Sequence, residues 1–264
     1  MKVGFIGLGQ QGKYLAINLA AAGHDLIVYD VRAEPLEELK RAGAAIGESP
    51  RAVARHAHII EICVLDDAQL EAVAIGAGGV LEGAAPGAVI AIHSTVDPGT
   101  IAKIAEAAAA RKIAVVDAPV SGGEAGAKSK SMSYMVGGSD EAVEQCLPLF
   151  QTSARNITRT GPLGSGIRAK LAHQLMLCLN ILAAHEGMRL GREAGLPSAT
   201  LEQVMHEGAA QSRIGDRWSR VSLRPHALGV LHKDIALCLK FARDLGISLP
   251  GGELAQKLLD EIVP

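Results

Sequence analysis

Three glycines near the start of the chain are spaced for contact with phosphate groups. Gly7-x-Gly9-x-x-Gly12 follows the apolar run from Val3 to Ile6 and precedes a helical pattern. Gly7 permits a tight turn, Gly9 lets a pyrophosphate approach the backbone, and Gly12 lets the helix pack on the strand. The N-terminus of that helix would then face the phosphates. The spacing therefore predicts a dinucleotide-binding turn.

An acidic residue lies where a second contact with a dinucleotide is expected. The apolar run Leu26–Tyr29 ends at Asp30, about 20 residues after the glycines, which suits a carboxylate that binds ribose hydroxyls. Asp30 would repel the extra phosphate of NADP, so the sequence favours NAD. Arg32 is a complication, because a guanidinium could pair with that phosphate.

A turn rich in hydroxyl groups follows the fourth predicted strand. It reads His93-Ser-Thr-Val-Asp-Pro98. Ser94 and Thr95 could face a cofactor, because open parallel sheets bind ligands at this end of their strands. They are equally suited to cap the helix that begins near Pro98. His93 is expected to be structural.

A glycine turn and a lysine indicate acid–base chemistry on a carboxylate. Ser121-Gly122-Gly123 directly follows the fifth strand and would present backbone N–H groups and one hydroxyl to an anion. Lys170 lies early on a long helical pattern and would project toward this turn if that helix packs against the sheet edge. An unperturbed lysine has a pKa of about 10.4, so burial or a nearby Lys233 would have to lower it for base function.

Composition favours a protein that binds neither nucleic acid nor membrane. The 264 residues are 48% hydrophobic with a formal net charge of -2, so no global charge attracts a polyanion. No charge-free run approaches the length of a membrane span and no leader precedes the first strand, so a cytoplasmic location is expected. The four cysteines lack C-x-x-C spacing, which argues against a metal site or a disulfide framework.

Strand and helix patterns alternate through residues 1–162, and helices alone follow in residues 163–264. The predicted strands are Lys2–Ile6, Leu26–Tyr29, Ile59–Val64, Ala88–Ile92 and Ala114–Asp117, with further β signals at Ser133–Val136 and Asn156–Arg159. This alternation predicts a Rossmann-type, doubly wound, mostly parallel sheet. After the glycines of residues 161–166, a long helix over Ile167–Arg192 leads into an all-α second domain. The later helices are predicted at Ser198–His206, Gly229–Leu245 and Gly252–Ile262.

Six motifs together resemble the β-hydroxyacid dehydrogenases, the family of 3-hydroxyisobutyrate dehydrogenase and tartronate semialdehyde (2-hydroxy-3-oxopropionate) reductase. They are Phe5-Ile-Gly-Leu-Gly-x-x-Gly12, Ser94-Thr-x-x-Pro98, Asp117-Ala-Pro-Val-Ser-Gly-Gly-x-x-Gly-Ala127, Met135-Val-Gly-Gly138, Gly164-x-Gly-x-x-x-Lys170 and Lys233-Asp234. The resemblance covers nearly the whole chain. It implies an oxidoreductase that transfers hydride between NAD and a small β-hydroxy acid or semialdehyde acid. It also implies homodimers or homotetramers with largely helical contacts.

The resemblance implies roles for individual residues. Lys170 would be the general acid/base, and Ser121, Gly122 and Gly123 would hold the substrate carboxylate. Two residues at positions that depart from the family are added as substrate contacts. Gln174 can offer amide hydrogen bonds, and His173, one helical turn after Lys170, can contact the substrate or tune Lys170, or it is simply a packed or surface histidine. The residues that the resemblance implies for cofactor binding are Gly7, Leu8, Gly9, Gln10, Gln11, Gly12, Asp30, Val31, Arg32, Val64, Leu65, Asp66, Ser94, Thr95 and Lys233.

One departure from the family leaves alternatives open. The family has an Asn-Asn pair after the lysine, where this chain has His173-Gln174. Gln174 still offers amide hydrogen bonds, but its longer side chain alters their reach, so the substrate is not fixed. Lys-x-x-His is also similar to the 6-phosphogluconate dehydrogenases, although their glutamate acid is here Leu177. An imine reductase or a non-catalytic NAD(P)-binding sensor is a further alternative, and the retained Lys170 weighs against both.

Overall fold

The structure, a computed structural model, describes residues 1–223 and 227–264. The strands in these ranges are β1 (Lys2–Ile6), β2 (Asp25–Tyr29), β3 (Ala45–Ile46), β4 (Ile59–Ile62), β5 (Val89–Ile92), β6 (Ala114–Asp117), β7 (Val120–Ser121), β8 (Met132–Gly137) and β9 (Ala154–Gly161). The helices are α1 (Gly12–Ala21), α2 (Ala33–Arg41), α3 (Pro50–His56), α4 (Asp67–Ala74), α5 (Val80–Gly83), α6 (Pro98–Ala109), α7 (Gly123–Lys128), α8 (Asp140–Phe150), α9 (Ser165–Glu193), α10 (Ser198–Glu207), α11 (Leu228–Asp244) and α12 (Pro250–Ile262). A 3₁₀ helix spans Gly215–Arg220.

The strands form one sheet in the order β3-β2-β1-β4-β5-β6-β8-β7, with β9 paired to β8. Pairing is parallel from β3 through β6 and antiparallel where β8 meets β6 and β7. Helices connect the parallel strands, because a parallel pair requires a crossover. Successive strand residues face opposite sides, so Phe5 and Ile59 enter one buried core while Ile6 and Ile60 enter the other. The predicted doubly wound α/β sheet is confirmed.

The parallel strands end on one line. Ile6 of β1 is paired with both Tyr29 and Ile62, Ile62 with Ile92, and Ile92 with Asp117. The turns that follow these five residues therefore leave from the same edge of the sheet. Open α/β sheets bind ligands outside this edge, so the register brings the predicted cofactor turns to the edge at which such sheets bind ligands.

Several helices begin at a side chain that accepts a backbone N–H, which satisfies a group that the helix itself leaves unpaired. Ser49 caps α3, Asp66 caps α4, Asp97 caps α6 and Ser139 caps α8. The cap of α6 corrects one sequence-based alternative. Ser94 and Thr95 do not cap this helix, because Asp97 accepts the N–H of Gly99 at 2.7 Å.

The chain divides into two compact units, Met1–Lys170 and Leu171–Pro264. The second unit is helical and packs around a buried apolar cluster that includes Cys178, Ile181 and Leu259. The predicted boundary between residues 162 and 163 precedes α9, whereas this division falls within α9. Within the described ranges, no helix is both long enough and apolar enough to span a membrane.

Sequence patterns missed the shortest elements and the last residues of one strand. Strands β3 and β7 have two residues each, too few to show a period. The predicted strand Ile59–Val64 ends at Ile62 in the structure. The N–H of Val64 donates to the hydroxyl of Ser94 at 2.9 Å, so a side chain replaces the strand partner there.

Candidate active site

The glycine turn is tight at two positions and open at the third. Gly7 has a φ of +92°, and a Cβ there would lie 2.3 Å from the carbonyl oxygen of Cys63. A Cβ on Gly12 would lie 2.0 Å from the carbonyl oxygen of Gly7. Nothing lies within 4 Å of the Cβ position of Gly9. The turn thus needs two glycines for its own packing and leaves bare backbone at the third, which fits a bound dinucleotide.

Asp30 lies against this turn and is joined to it by hydrogen bonds. One carboxylate oxygen, Oδ2, accepts the N–H of Leu8 at 2.6 Å, and Oδ1 accepts the backbone N–H of Arg32 at 2.9 Å. The Arg32 guanidinium donates to both oxygens, at 3.0 Å and 3.2 Å, and to the carbonyl of Leu8 at 3.0 Å. Burial favours a higher pKa for Asp30, but the hydrogen bonds from Arg32 and Leu8 and the Arg32 charge outweigh it and lower the pKa. Asp30 is therefore an ionised acceptor beside the turn.

A cavity of about 320 Å³ opens beside the glycine turn and Arg32. Its lining comprises Leu8, Gly9, Gln10, Lys13, Tyr14, Arg32, Glu34, Pro35, Glu38 and Glu124. The ammonium group of Lys13 pairs with Glu38 at 2.8 Å, and the Lys13 and Lys128 ammonium groups lie 4.8 Å and 4.7 Å from the Tyr14 ring centroid. Neither Lys13 nor Glu124 was predicted as a site residue, because neither belongs to a recognised spacing. Val31, which was also predicted to bind the cofactor, directly precedes Arg32 and is exposed.

The two loops that follow β4 and β5 are joined by side chains. Besides the bond from Val64 to Ser94, the carboxylate of Asp67 accepts the N–H of Asp97 at 2.8 Å and the hydroxyl of Thr100 at 2.6 Å. Ser94 is buried and its neighbour Thr95 is partly exposed. Two further predicted cofactor residues, Leu65 and Asp66, lie in the first of these loops. The structure thus joins one predicted residue of each loop, Val64 and Ser94, directly.

The carboxylate of Asp117 joins the end of β6 to the start of α9. Its Oδ1 accepts the N–H of Gly164 at 2.8 Å and its Oδ2 accepts the N–H of Ile167 at 2.7 Å. Burial raises the pKa of Asp117, opposed by these two hydrogen bonds. Lys170 lies about one helical turn after Ile167 and is only 5% exposed. The buried position argues against a solvated surface lysine.

The predicted carboxylate-binding turn has a backbone that glycine favours. Gly122 and Gly123 have φ values of +146° and +63°. A Cβ on Gly122 would meet the sulfur of Met132 at 2.7 Å, whereas nothing lies within 4 Å of that position on Gly123. Ser121, at the end of β7, is partly exposed. The turn leads directly into the short helix α7, which was not predicted.

Four polar residues of the second unit form a chain of contacts. The ring nitrogen Nδ1 of His173 lies 2.9 Å from Oε1 of Gln174, and the Gln174 amide donates to the carboxylate of Asp234. The ammonium group of Lys233 donates to the other Asp234 oxygen at 2.7 Å. Asp234 is 1% exposed and, although it belongs to the Lys233-Asp234 motif, it was not predicted as a site residue. A signal existed, because Asp234 lies three residues after Leu231 and four before Cys238, on the apolar stripe of α11.

Comparisons with known proteins identify the class and the family. The NAD-binding domain of 6-phosphogluconate dehydrogenase matches residues 2–161, and the NAD-binding domain of NADP-dependent 3-hydroxyisobutyrate dehydrogenase matches residues 164–263. With the glycine turn and the ordered strand ends, these matches define an NAD(P)-dependent oxidoreductase that acts on CH–OH donors.

Individual relatives agree with this class over almost the full chain. The chain is 37% identical to 2-hydroxy-3-oxopropionate reductase of Escherichia coli, covering 98% of this chain and 90% of the relative. It is 31% identical to the probable mitochondrial 3-hydroxyisobutyrate dehydrogenase of Dictyostelium discoideum, covering 99% and 85%. A 3-hydroxyisobutyrate dehydrogenase structure from Salmonella typhimurium superposes with a TM-score of 0.83 at 28% identity, covering 98% and 92%. The chain belongs to the β-hydroxyacid dehydrogenase family, as its motifs predicted.

Proposed function

We propose that the chain interconverts a small β-hydroxy acid and the matching semialdehyde acid, with Lys170 as the general acid/base. The observation that carries the proposal is the burial of Lys170 on a helix whose first turn is held by Asp117. Relatives named 2-hydroxy-3-oxopropionate reductase, 3-hydroxyisobutyrate dehydrogenase and L-serine dehydrogenase support this substrate class. Candidate substrates are accordingly 3-hydroxyisobutyrate, tartronate semialdehyde and related short acids.

In this proposal the protein supplies proton transfer and orientation. A bound nicotinamide supplies the hydride acceptor or donor. During oxidation Lys170 takes the proton from the substrate hydroxyl oxygen, and during reduction it returns a proton to the forming alkoxide oxygen. Ser121, Gly122 and Gly123 bind the substrate carboxylate, which holds the carbinol carbon in a fixed orientation. Gln174 and His173 provide further substrate contacts.

The proposal assigns the cofactor to the glycine turn and the neighbouring loops, with NAD preferred over NADP. Asp30 supports this preference, because its ionised carboxylate accepts hydrogen bonds from ribose hydroxyls and repels a phosphate. Arg32 reduces the preference, because it donates to both Asp30 oxygens and offers a cation to a phosphate. Ser94, Thr95 and Lys233 complete the proposed cofactor contacts.

Assembly and location form a separate part of the proposal. We propose a cytoplasmic homodimer or homotetramer, on the basis of the family resemblance. Light scattering coupled to size-exclusion chromatography measures the subunit number directly, and cell fractionation measures the location. A monomer at working concentration would contradict the proposed homodimer or homotetramer.

The test is a spectrophotometric assay of NADH formation or consumption with a panel of short β-hydroxy acids and semialdehyde acids. We expect lysine-dependent turnover of at least one compound. Lys170→Ala should lower kcat by about 10²–10⁴-fold, the usual contribution of a general acid/base. The dissociation constant for NAD should stay within about twofold.

Arg168→Ala is a matched control, because Arg168 is exposed on the same helix. It should leave turnover unchanged. Equal activity of wild type and Lys170→Ala would overturn the role of the lysine. Cofactor binding without turnover of any acid would favour the non-catalytic alternative.

A further inference from the structure

A glutamate and a histidine face each other inside the sheet domain. Glu61 lies in β4 and His93 directly follows β5. Oε2 of Glu61 and Nε2 of His93 are 3.2 Å apart, and the exposed fractions of the two side chains are 3% and 0%. Neither residue belongs to the motifs that define the family resemblance. Burying such groups is costly unless they are paired, so their presence requires an explanation.

The histidine ring reaches a third segment of the chain. Its Nδ1 lies 2.9 Å from the carbonyl oxygen of Ala118, the first residue after β6. Backbone bonds connect the same segments at the same level, from His93 to Ile62 at 2.8 Å and from Ala118 to Ile92 at 2.8 Å. One imidazole therefore bridges three adjacent strand ends. Two of these ends continue into the turns that hold Ser94 and Ser121.

The contacts of the ring define its orientation. A carbonyl oxygen only accepts, so Nδ1 of His93 donates a hydrogen bond to Ala118. Nε2 then faces Oε2 of Glu61 at 3.2 Å, a polar contact, and no described group hydrogen-bonds to Nε2.

Aromatic side chains surround the His93 ring, and Glu61 is the polar side chain that it faces. Aromatic rings of Phe5, Tyr134 and Phe150 lie 5.5–6.3 Å from the His93 ring, centroid to centroid. Burial, with a further contribution from Glu61, raises the pKa of Tyr134 well above its ordinary value. The tyrosine is therefore uncharged. The second Glu61 oxygen makes no hydrogen bond to any described residue, so His93 is the polar group that this carboxyl group faces.

We propose that Glu61 and His93 are a positioning pair that fixes the cofactor turn, residues 94–96, against the substrate turn, residues 118–123. The inference is built on the proposed function, which gives these turns their roles. A dehydrogenase must hold the reacting carbons of cofactor and substrate at a set separation, and small misplacements are costly in rate. The pair meets this need by tying both turns to β4 through one rigid ring.

The test compares three variants of the full-length protein. Glu61→Leu removes the carboxyl group that faces Nε2 of His93. Glu61→Gln keeps an amide donor that can bond to a neutral imidazole, so it is the conservative rescue. Cys146→Ala is the matched control for loss of stability, because Cys146 is buried in the same apolar cluster as the rings around His93 and lies outside both turns in the chain.

The first readout is hydrogen–deuterium exchange of the free enzyme, followed by mass spectrometry of its peptides. Glu61→Leu should raise exchange rates about tenfold in peptides covering residues 94–97 and 118–123, with β1–β2 peptides unchanged. Glu61→Gln should stay within twofold of wild type in both turns. Uniform acceleration across the domain, as expected for Cys146→Ala, or no change in the turns would overturn the proposal.

The second readout is steady-state kinetics on the substrate found in the panel. Glu61→Leu should lower kcat/KM for the acid at least tenfold, while the NAD dissociation constant changes less than threefold and Glu61→Gln recovers most of the rate. Unchanged kcat/KM in Glu61→Leu would overturn the pair's role in positioning. If wild type turns over no acid, the proposed function fails, whereas the exchange measurement still decides whether the pair fixes the turns.

Discussion

Two parts of one sheet edge are built in opposite ways. At the ends of β1 and β2, the glycine turn leaves backbone open at Gly9, and the Arg32 side chain is 54% exposed where it meets Asp30. At the ends of β4, β5 and β6, the polar groups Glu61, His93 and Asp117 are almost fully buried. The first region provides surface on which a ligand can lie. The second provides fixed bonds between strand ends.

The difference matters for energy as well as geometry. Exposed ion pairs contribute only about 0–1 kcal/mol, because water already solvates both charges well. Removing one member of a buried pair costs about 3–5 kcal/mol, because the other is left without a partner. Changes to charged side chains at the open region should therefore alter ligand binding, whereas such changes at the buried region should alter both stability and turnover.

The largest effect is expected from Gly12→Ala compared with Gly9→Ala. The new Cβ of Gly12→Ala would lie 2.0 Å from a backbone oxygen, whereas Gly9→Ala would meet no protein atom within 4 Å. Gly12→Ala should lower the free energy of unfolding by about 3 kcal/mol or more and abolish NAD binding. Gly9→Ala should keep the wild-type Tm but weaken NAD binding about tenfold or more. Thermal melts and cofactor titration check both predictions. A wild-type dissociation constant for NAD in Gly9→Ala would show that the pyrophosphate does not lie against Gly9.

A smaller effect is expected at the buried end from Asp117→Ala. The change leaves the N–H groups of Gly164 and Ile167 without their acceptor, which should cost about 2–4 kcal/mol in chemical denaturation. Turnover should fall with it, because the same bonds hold the start of the helix that carries Lys170. Asp117→Asn retains one acceptor oxygen and should lose about half as much stability. Equal stability of both variants and wild type would show that the helix start does not depend on this carboxylate.

A pair of opposite changes at Asp30 and Arg32 should alter cofactor choice without altering the fold. Asp30→Ala should erode the preference for NAD over NADP, by about tenfold in the ratio of dissociation constants. Arg32→Ala should increase that preference, because it frees the carboxylate and removes a cation that attracts the phosphate. An unchanged ratio in Asp30→Ala would refute the role of the carboxylate.

The smallest effect is a pH dependence of stability from the same pair. The pKa of Asp30 is lower in the folded protein than its ordinary value, so its contribution is complete above the unfolded pKa of about 3.9 and is lost as pH falls through the folded pKa. Wild type should therefore be more stable than Asp30→Asn at pH 7 by less than about 1 kcal/mol. The difference should vanish in urea titrations at lower pH. A gap that widens on acidification would contradict the ionised state of Asp30.

Residue spacing was sufficient to predict the main elements of the open region, the ends of β1 and β2. The glycine spacing, the apolar strand before it and the acid at the end of β2 can each be recognised from neighbouring residues. Strand β1 was therefore predicted with its observed bounds and Asp30 was selected, whereas its hydrogen bond from Leu8 was not predicted. The role of Lys170 was predicted through the family motifs, because no local pattern requires a lysine to be buried at this position. Short elements such as α7 escaped because six residues do not establish a helical period.

Residue spacing was insufficient to predict the side-chain contacts of the buried region, the ends of β4, β5 and β6. His93 was expected to be structural, but nothing in its neighbourhood pointed to Glu61, which is 32 residues earlier and reads as one more position in a buried strand. Ser94 was a candidate helix cap or cofactor ligand. It does not cap α6, and the structure adds a contact that was not predicted, in which its hydroxyl accepts the N–H of Val64. Asp117 was predicted as the last residue of a strand and as the first residue of a family motif, but its hydrogen bonds to the start of the long helix were not predicted.

The sequence by itself determined the alternation of strands and helices, the glycine turn, the acid that faces it and the family, because each depends on residues close together in the chain or on motifs. The tertiary structure decided which polar side chains join the strand ends. Those partners are brought together by the register of parallel strands, a long-range property that local propensity does not encode. Here that register places Ile6, Ile62, Ile92 and Asp117 on one line, and the contacts of Glu61, His93 and Asp117 follow from it.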